Sequence, residues 1–152
     1  METKEMLEKV SSLVQLDIDA IHAYEQAIEK VDVQSVKNQL VSFKMDHQRH
    51  VRELSDVMRR HGGQPPEYTP DFKGFLIKGF TALRSITGTE GALKAMRTNE
   101  ELTTSTYDNA TRMAFEKDVQ EVVERNRDDE HRHLEYIKQC IDGRVWEREE
   151  AA

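Results

Sequence analysis

The sequence predicts an all-α protein, an antiparallel four-helix bundle made of two repeated hairpins with a long crossover that contains a short helix. Three observations indicate this fold. The 152 residues are 34% charged and include only 7 Gly and 3 Pro, which argues against disorder and against a β sandwich with many turns. Apolar residues recur at helical spacing in four long stretches. A shift of 83 residues, for example from Asp17 to Glu100, lays one half of the chain on the other without a gap.

The first predicted hairpin spans about residues 3–61. Its two apolar stripes comprise Leu13, Ile21, Tyr24 and Ile28, and then Val36, Leu40, Phe43, Leu54 and Val57. The joint between the two helices, around residues 30–33, is short, so we expect the helices to run antiparallel. Gly62 and Gly63 mark the end of the second helix.

The second predicted hairpin spans about residues 89–142. Its stripes comprise Leu93, Met96, Tyr107 and Ala110, and then Val119, Val123, Ile137 and Cys140. The joint around residues 113–116 is again short, and the last helix stops near Gly143. We therefore expect one bundle domain over residues 1–143, followed by a charged tail over 144–152.

The crossover between the hairpins covers residues 62–91 and is long enough to cross the bundle. Three prolines open it, and a small amphipathic stretch follows with Phe72, Phe75, Leu76, Phe80 and Leu83. This stretch predicts a short helix that packs on the core as a lid. A helix lying on a membrane surface is the alternative that its basic residues leave open.

Composition excludes several classes of function. The formal net charge of −7 argues against nucleic-acid binding, because a duplex needs a basic face. The single cysteine, Cys140, excludes an internal disulfide, a four-cysteine metal site and a CxxC redox pair. The sequence has neither an apolar run of about 20 residues nor a signal-peptide apolar region at its amino terminus. We therefore expect a cytoplasmic protein with no nucleic-acid or membrane partner.

Polar residues on the apolar stripes are the main clue to function. The two halves agree mostly at polar positions, whereas chance helical repetition would match leucines. The inward-facing polar residues are Asp17 on the first helix, His47 and His50 on the second, Glu100 on the third, and Glu130 and His133 on the fourth. Residues equally far from a joint lie level on antiparallel helices. The midpoints of 17 and 47 and of 100 and 130 are 32 and 115, which both fall in the predicted joints.

Six ionisable groups at one level would be costly to bury unpaired, and a divalent ion offers all of them a partner. Imidazole with carboxylate suits iron, manganese or zinc better than calcium. The alternative is a metal-free polar layer in which Asp17 pairs with His47 or His50 and Glu100 with His133. Six residues in two related sets favour the metal. Tyr24 and Tyr107 lie one heptad from Asp17 and Glu100, where they would orient a ligand or act in redox chemistry, or simply pack in the core.

With these motifs the sequence resembles the ferritin-like superfamily, including rubrerythrin-like proteins. Its carboxylate-bridged di-iron members place one Glu on each of two helices and Glu-x-x-His on each of the other two. Residues 129–133 match the Asp-Glu-x-Arg-His form of that motif in full, and residues 46–50 match all but one position. The likeness covers roughly residues 5–142. The Gly-Gly-x-Pro end of the second helix also resembles a rubrerythrin-related bacterial family of undefined function.

This resemblance implies a set of site residues. It implies that the metal ligands are Asp17, as a shorter stand-in for Glu, with His50, Glu100, Glu130 and His133. It also implies that Asp46 and Asp129 accept hydrogen bonds that orient the ligating histidines. The implied cofactor is a pair of iron ions, with zinc or manganese as alternatives.

His47 departs from the family, because it stands where a bridging Glu is expected. Asp17, Glu100 and Glu130 supply three negative charges, whereas four would neutralise two divalent ions. An imidazole also offers a metal one nitrogen and does not bridge as a carboxylate does. We therefore expect an asymmetric metal pair, or one tightly held ion with a weak second site.

The function that the sequence predicts is that of a non-haem metalloprotein that oxidises Fe²⁺ or reduces peroxide or oxygen. Its partners would then be Fe²⁺ or a small oxidant, and a homodimer is left open. Two alternatives stand beside it: a metal-stabilised or metal-storing bundle without turnover, and a metal-free interaction bundle.

Overall fold

The computed structural model of the protein describes residues 1–71 and 86–148. Within these ranges it has four long helices, α1 (Thr3–Lys30), α2 (Gln34–Arg60), α3 (Gly88–Ala110) and α4 (Lys117–Asp142), and a short 3₁₀ helix, Val145–Glu147. The predicted all-α four-helix bundle is confirmed. The short crossover helix that we expected around residues 72–83 lies outside the described residues.

The helices pack as two hairpins laid side by side. Helix α1 contacts α2 and α3, and α4 contacts α3 and α2, so the order around the bundle is α1, α2, α4, α3. The joint between α1 and α2 is fastened to the second hairpin, because the hydroxyl of buried Thr89 accepts a hydrogen bond from the backbone N–H of Asp32 at 2.8 Å. Helix α3 therefore begins at the end of the bundle where α1 and α2 are joined.

The start of the crossover is held on α1 by a buried carboxylate. Asp19 Oδ1 accepts hydrogen bonds from Gln15 Nε2 at 3.0 Å and from the backbone N–H of Asp71 at 2.7 Å. Gln15 also donates to the carbonyl oxygen of Thr69 at 2.9 Å. These bonds lay the chain from Thr69 to Asp71 along the outer side of α1.

The apolar core formed by residues 1–71 and 86–148 divides into two clusters. One cluster contains Leu13, Leu54 and Val123, and the other contains Leu40, Phe43 and Ile137. All six side chains are almost completely buried, as their positions on the helical stripes require. On α2, α3 and α4, the buried residues between these clusters are polar, among them His47, Glu100 and Glu130. None of the helices in the two described ranges is long and apolar enough to cross a membrane.

Candidate metal centre

Six ionisable side chains meet in the polar layer between the two apolar clusters. Each has at most 1% of its surface exposed: Asp17, His47, His50, Glu100, Glu130 and His133. They come from all four long helices, as the stripes predicted. The helical spacing explains this local arrangement, since residues three apart on α2 and on α4 present both of their side chains to the interior.

The six residues form two overlapping groups. The first group contains Asp17, His47, His50 and Glu130, and the second contains His47, Glu100, Glu130 and His133. Within each group, one nitrogen or oxygen atom per residue lies within 4.8 Å of the others. His47 and Glu130 belong to both groups, so the two groups are neighbours that share one side chain of α2 and one of α4.

In the first group, donor atoms surround one oxygen of Asp17. Asp17 Oδ1 lies 2.6 Å from His47 Nδ1 and 3.0 Å from His50 Nδ1. Glu130 Oε1 lies 3.5 Å from His47 Nδ1 and 3.9 Å from His50 Nδ1. Glu130 Oε1 is buried and has no hydrogen-bond partner among the described residues. A buried carboxylate oxygen without a partner carries a large desolvation cost, which a bound cation would remove.

The second group also combines two carboxylates with two imidazoles, and Glu100 stands in it where the first group has the shorter Asp17. Glu130 Oε2 lies 3.2 Å from His133 Nδ1, and Glu100 Oε1 lies 3.7 Å from the same nitrogen. His47 Nε2 lies 3.3 Å from Glu100 Oε1. The hydroxyl of Thr103 donates to Glu100 Oε2 at 3.1 Å. Thr103 was not anticipated from the sequence, because the repeat places Ala20 at the corresponding position.

Asp46 and Asp129 contact the outer nitrogens of the two histidines, each across the boundary between the hairpins. Asp129 Oδ2 on α4 lies 2.8 Å from His50 Nε2 on α2, and Asp46 Oδ2 on α2 lies 2.8 Å from His133 Nε2 on α4. A hydrogen on Nε2 that is donated to a carboxylate leaves Nδ1 directed at the centre. Arg132 donates to both aspartates, at 2.7 Å and 3.2 Å, which holds them in place.

The two buried tyrosines also cross between the hairpins. Tyr24 on α1 donates to Glu100 Oε1 on α3, and Tyr107 on α3 donates to Asp17 Oδ2 on α1. Each therefore holds the carboxylate of the other half of the repeat. Asn126, which is buried on α4, donates to the Tyr107 hydroxyl at 3.2 Å. At the position that matches Asn126, the first half has Phe43, so the second tyrosine is the more strongly held.

The carboxylates of the centre differ in their electrostatics. Burial alone would raise the pKa of Asp17, but the attraction of His50 and the hydrogen bonds with His47 and His50 lower it to about 2. Burial raises the pKa of Glu130 to about 7, and repulsion from Glu100 adds to the rise. Glu130 is therefore the carboxylate that the surrounding protein leaves least compensated.

The histidines of the centre favour their protonated forms. Burial lowers the pKa of His133, but hydrogen bonds with Asp46, Glu100 and Glu130 outweigh it and raise that pKa to about 10. Burial likewise opposes the charged form of His47, and attraction by Glu130 with the hydrogen bonds to Asp17 and Glu100 raises its pKa well above the usual value. The surrounding carboxylates thus favour positive charge on these imidazoles, and a bound metal ion would supply positive charge in their place.

The comparisons with known proteins agree with this architecture. The family described as "Domain of unknown function (DUF2383)" matches residues 5–113. A crystal structure titled as ferritin like, diiron-carboxylate proteins from Bacillus anthracis str. Ames is 21% identical, with a TM-score of 0.71. The alignment covers 93% of this chain and 99% of that one. No curated protein matches the chain. The likeness confirms the predicted ferritin-like fold, and at this identity it bears on the fold alone.

Proposed function

This chain belongs to the family described as Domain of unknown function (DUF2383), and we propose that it is a non-haem metalloprotein with an asymmetric di-metal centre, whose resident metal is iron. The proposal rests on the chain's own donor atoms. Three carboxylates and three imidazoles converge in a layer that is closed above and below by apolar clusters. Imidazole and carboxylate together are the ligands that iron, manganese and zinc prefer.

The proposal depends above all on one observation, that Glu130 Oε1 is buried without a hydrogen-bond partner among the described residues. A metal-free polar layer would be expected to satisfy every buried oxygen, because each buried group without a partner costs about 1 to 3 kcal/mol. The layer satisfies Asp17 and Glu100 but leaves this oxygen without a donor among the residues that the structure describes, although two imidazole nitrogens lie 3.5 and 3.9 Å away. The unpartnered atom faces the place where the donors of the first group converge. A cation fits that place better than a further hydrogen bond does.

The residues would divide between two ions. Asp17 and His50 would hold one ion and Glu100 and His133 the other, with one oxygen of Glu130 toward each. When bound, iron supplies one-electron redox chemistry toward oxygen or peroxide, or is itself the Fe²⁺ to be oxidised. The chain's part is to orient the ligands from both hairpins and to exclude water with the apolar clusters on either side.

A second candidate function is metal storage or metal-based stabilisation without turnover. His47 favours it, because this residue leaves three carboxylates where four would neutralise two divalent ions. The second ion would then be held less tightly than the first. Both candidates require a metal, so metal content is the first quantity to measure.

The test is to analyse metals in protein purified without added ions, and then to add Fe²⁺ anaerobically before oxygen or peroxide. We expect tight binding of at least one ion per chain. Turnover predicts an oxo-bridged ferric absorption after the oxidant, whereas storage predicts binding without it. Metal below about 0.2 equivalents per chain would contradict both and leave a metal-free interaction bundle.

Two isosteric variants separate the centre from the surface. Glu130→Gln keeps the shape of the side chain but removes a charged ligand oxygen, so we expect the iron content to fall at least about tenfold. Glu135→Gln makes the same change at an exposed position of the same helix and should leave iron content unchanged. Equal iron in the two variants would refute a role for Glu130.

A further inference from the structure

The two halves of the centre offer different donor atoms, although the sequence repeat relates them. The half around His133 combines one imidazole with the carboxylates of Glu100 and Glu130. The half around His50 combines Asp17 and Glu130 with two imidazole nitrogens, provided that His47 belongs to it. The position of the His47 ring therefore decides whether the halves are chemically distinct.

The ring of His47 lies between the halves, with one nitrogen toward each. Nδ1 is the nitrogen nearest to Asp17, at 2.6 Å, and nearest to Glu130, at 3.5 Å. Nε2 faces Glu100 at 3.3 Å. A neutral imidazole ligates through one nitrogen and keeps its hydrogen on the other. Ligation through Nδ1 places His47 with the three other donors of this half, from Asp17, His50 and Glu130, and leaves Nε2–H to donate to Glu100.

The distances between the donor atoms in the half around His50 suit a single ion that all four donors bind. Four ligands about 2.0 Å from zinc in its usual tetrahedral arrangement lie about 3.3 Å from one another. The nitrogen-to-oxygen distances here are 2.6, 3.0, 3.5 and 3.9 Å, which scatter about that value. Two nitrogens and two oxygens complete the number of donors that a closed zinc site uses.

On this basis we infer that the two halves of the centre prefer different metal ions. The half with Asp17, His47 and His50 takes a nitrogen-preferring divalent ion such as zinc, and the half with Glu100, Glu130 and His133 takes manganese or iron. Imidazole nitrogens suit zinc and carboxylate oxygens suit manganese, whereas iron accepts both kinds of donor. The inference rests on the proposed function, because it presupposes that both halves bind metal. It goes further by replacing a pair of like ions with a mixed pair.

The decisive experiment uses the unmodified chain. One equivalent of Zn²⁺ and then one of Mn²⁺ are added to chelator-treated protein, and crystals are measured at the absorption edges of both metals. We expect the zinc peak between Asp17 and His50 and the manganese peak between Glu100 and His133, with a preference of at least about tenfold in each. Zinc divided equally, or zinc on the Glu100 side, would overturn the inference.

A variant at position 47 tests whether His47 causes the zinc preference of the half around His50. Glu at position 47 offers a carboxylate to both halves, as Glu130 does, so His47→Glu should reduce the zinc preference to within about twofold. Gln48→Glu adds the same charge at the neighbouring exposed position and should keep the preference. If His47→Glu does not fold, the anomalous maps of the unmodified chain still decide. Persistent preference in a folded His47→Glu variant would refute the assignment.

The outcomes also separate this inference from the proposed function. Two ions bound without preference would overturn the selectivity and leave the di-metal centre intact. Binding of neither metal would overturn both. The electron paramagnetic resonance of Mn²⁺ gives an independent reading, because manganese beside zinc has an isolated six-line signal and manganese beside manganese does not.

Discussion

Replacing Tyr107 by Phe removes one hydroxyl that connects three helices inside the polar layer. This hydroxyl on α3 donates to Asp17 Oδ2 on α1 and accepts a hydrogen bond from Asn126 Nδ2 on α4 at 3.2 Å. All three side chains are at most 1% exposed. Burial and the nearby charge of Asp17 raise the pKa of Tyr107 well above its usual value, so the phenol keeps the hydrogen that it donates.

The expected loss of stability follows from the partners left behind. A buried polar group without a partner costs about 1 to 3 kcal/mol, and Tyr107→Phe leaves both a carboxylate oxygen and an amide without one, so the cost is about 2 to 6 kcal/mol. Tyr24→Phe makes the same chemical change in the other half. There Glu100 Oε1 keeps His47 Nε2 at 3.3 Å, so the cost should be nearer about 1 kcal/mol.

Urea unfolding of the chelator-treated protein measures this difference. With a slope of about 1 to 3 kcal/mol per molar urea, a difference of at least about 1 kcal/mol means that Tyr107→Phe should lower the midpoint by at least about 0.3 M more than Tyr24→Phe does. Tyr68→Phe is the control, because Tyr68 is 53% exposed and its loss should change stability by less than about 0.5 kcal/mol. Equal losses in the two buried variants would refute the accounting of partners.

Two further predictions concern protons and metal. Because the pKa of Glu130 rises to about 7 and that of His133 to about 10, the folded metal-free chain binds more protons than the unfolded chain between about pH 5 and 9. The urea midpoint of the metal-free chain should therefore fall as pH rises through this interval. Bound metal needs deprotonated ligands, so it should reverse this dependence on pH. A midpoint of the metal-free chain that does not change with pH would contradict the pKa shifts. Asp129→Asn weakens the bond that orients His50 and should reduce zinc affinity about 10- to 100-fold in a competition titration, while exposed Asp128→Asn changes it less than twofold. An equal effect of both variants would show that Asp129 acts through charge alone.

Helical periodicity was enough to predict which side chains point inward. A pattern of period 3.6 assigns His47, His50, Glu130 and His133 to the buried faces of their helices, and all four are fully buried. Short joints then set the height of each residue, because antiparallel helices place equally distant residues at one level. The layer could therefore be predicted without any knowledge of how the hairpins pack on each other.

The partners of each side chain could not be predicted in this way. Along α1, Tyr24 is one heptad from Asp17, but its hydroxyl donates to Glu100 on α3. Asp129 likewise contacts the histidine of the other hairpin. These pairings depend on the offset between the two hairpins, which is set by packing across their boundary and is not encoded in the period of either helix. The same offset puts the two nitrogens of His47 toward different halves, which the sequence could not show.

These exchanged partners change what a metal has to do for the fold. Carboxylates and tyrosines from opposite hairpins already satisfy the outer nitrogens of His50 and His133 and one oxygen of both Asp17 and Glu100. Most of the cost of burying the layer is thus compensated within the chain, so the bundle should fold without metal and gain stability on binding it. The uncompensated remainder lies on Glu130, between the two groups. A metal would therefore act mainly at the centre, and its removal should loosen the ligands before it unfolds the helices.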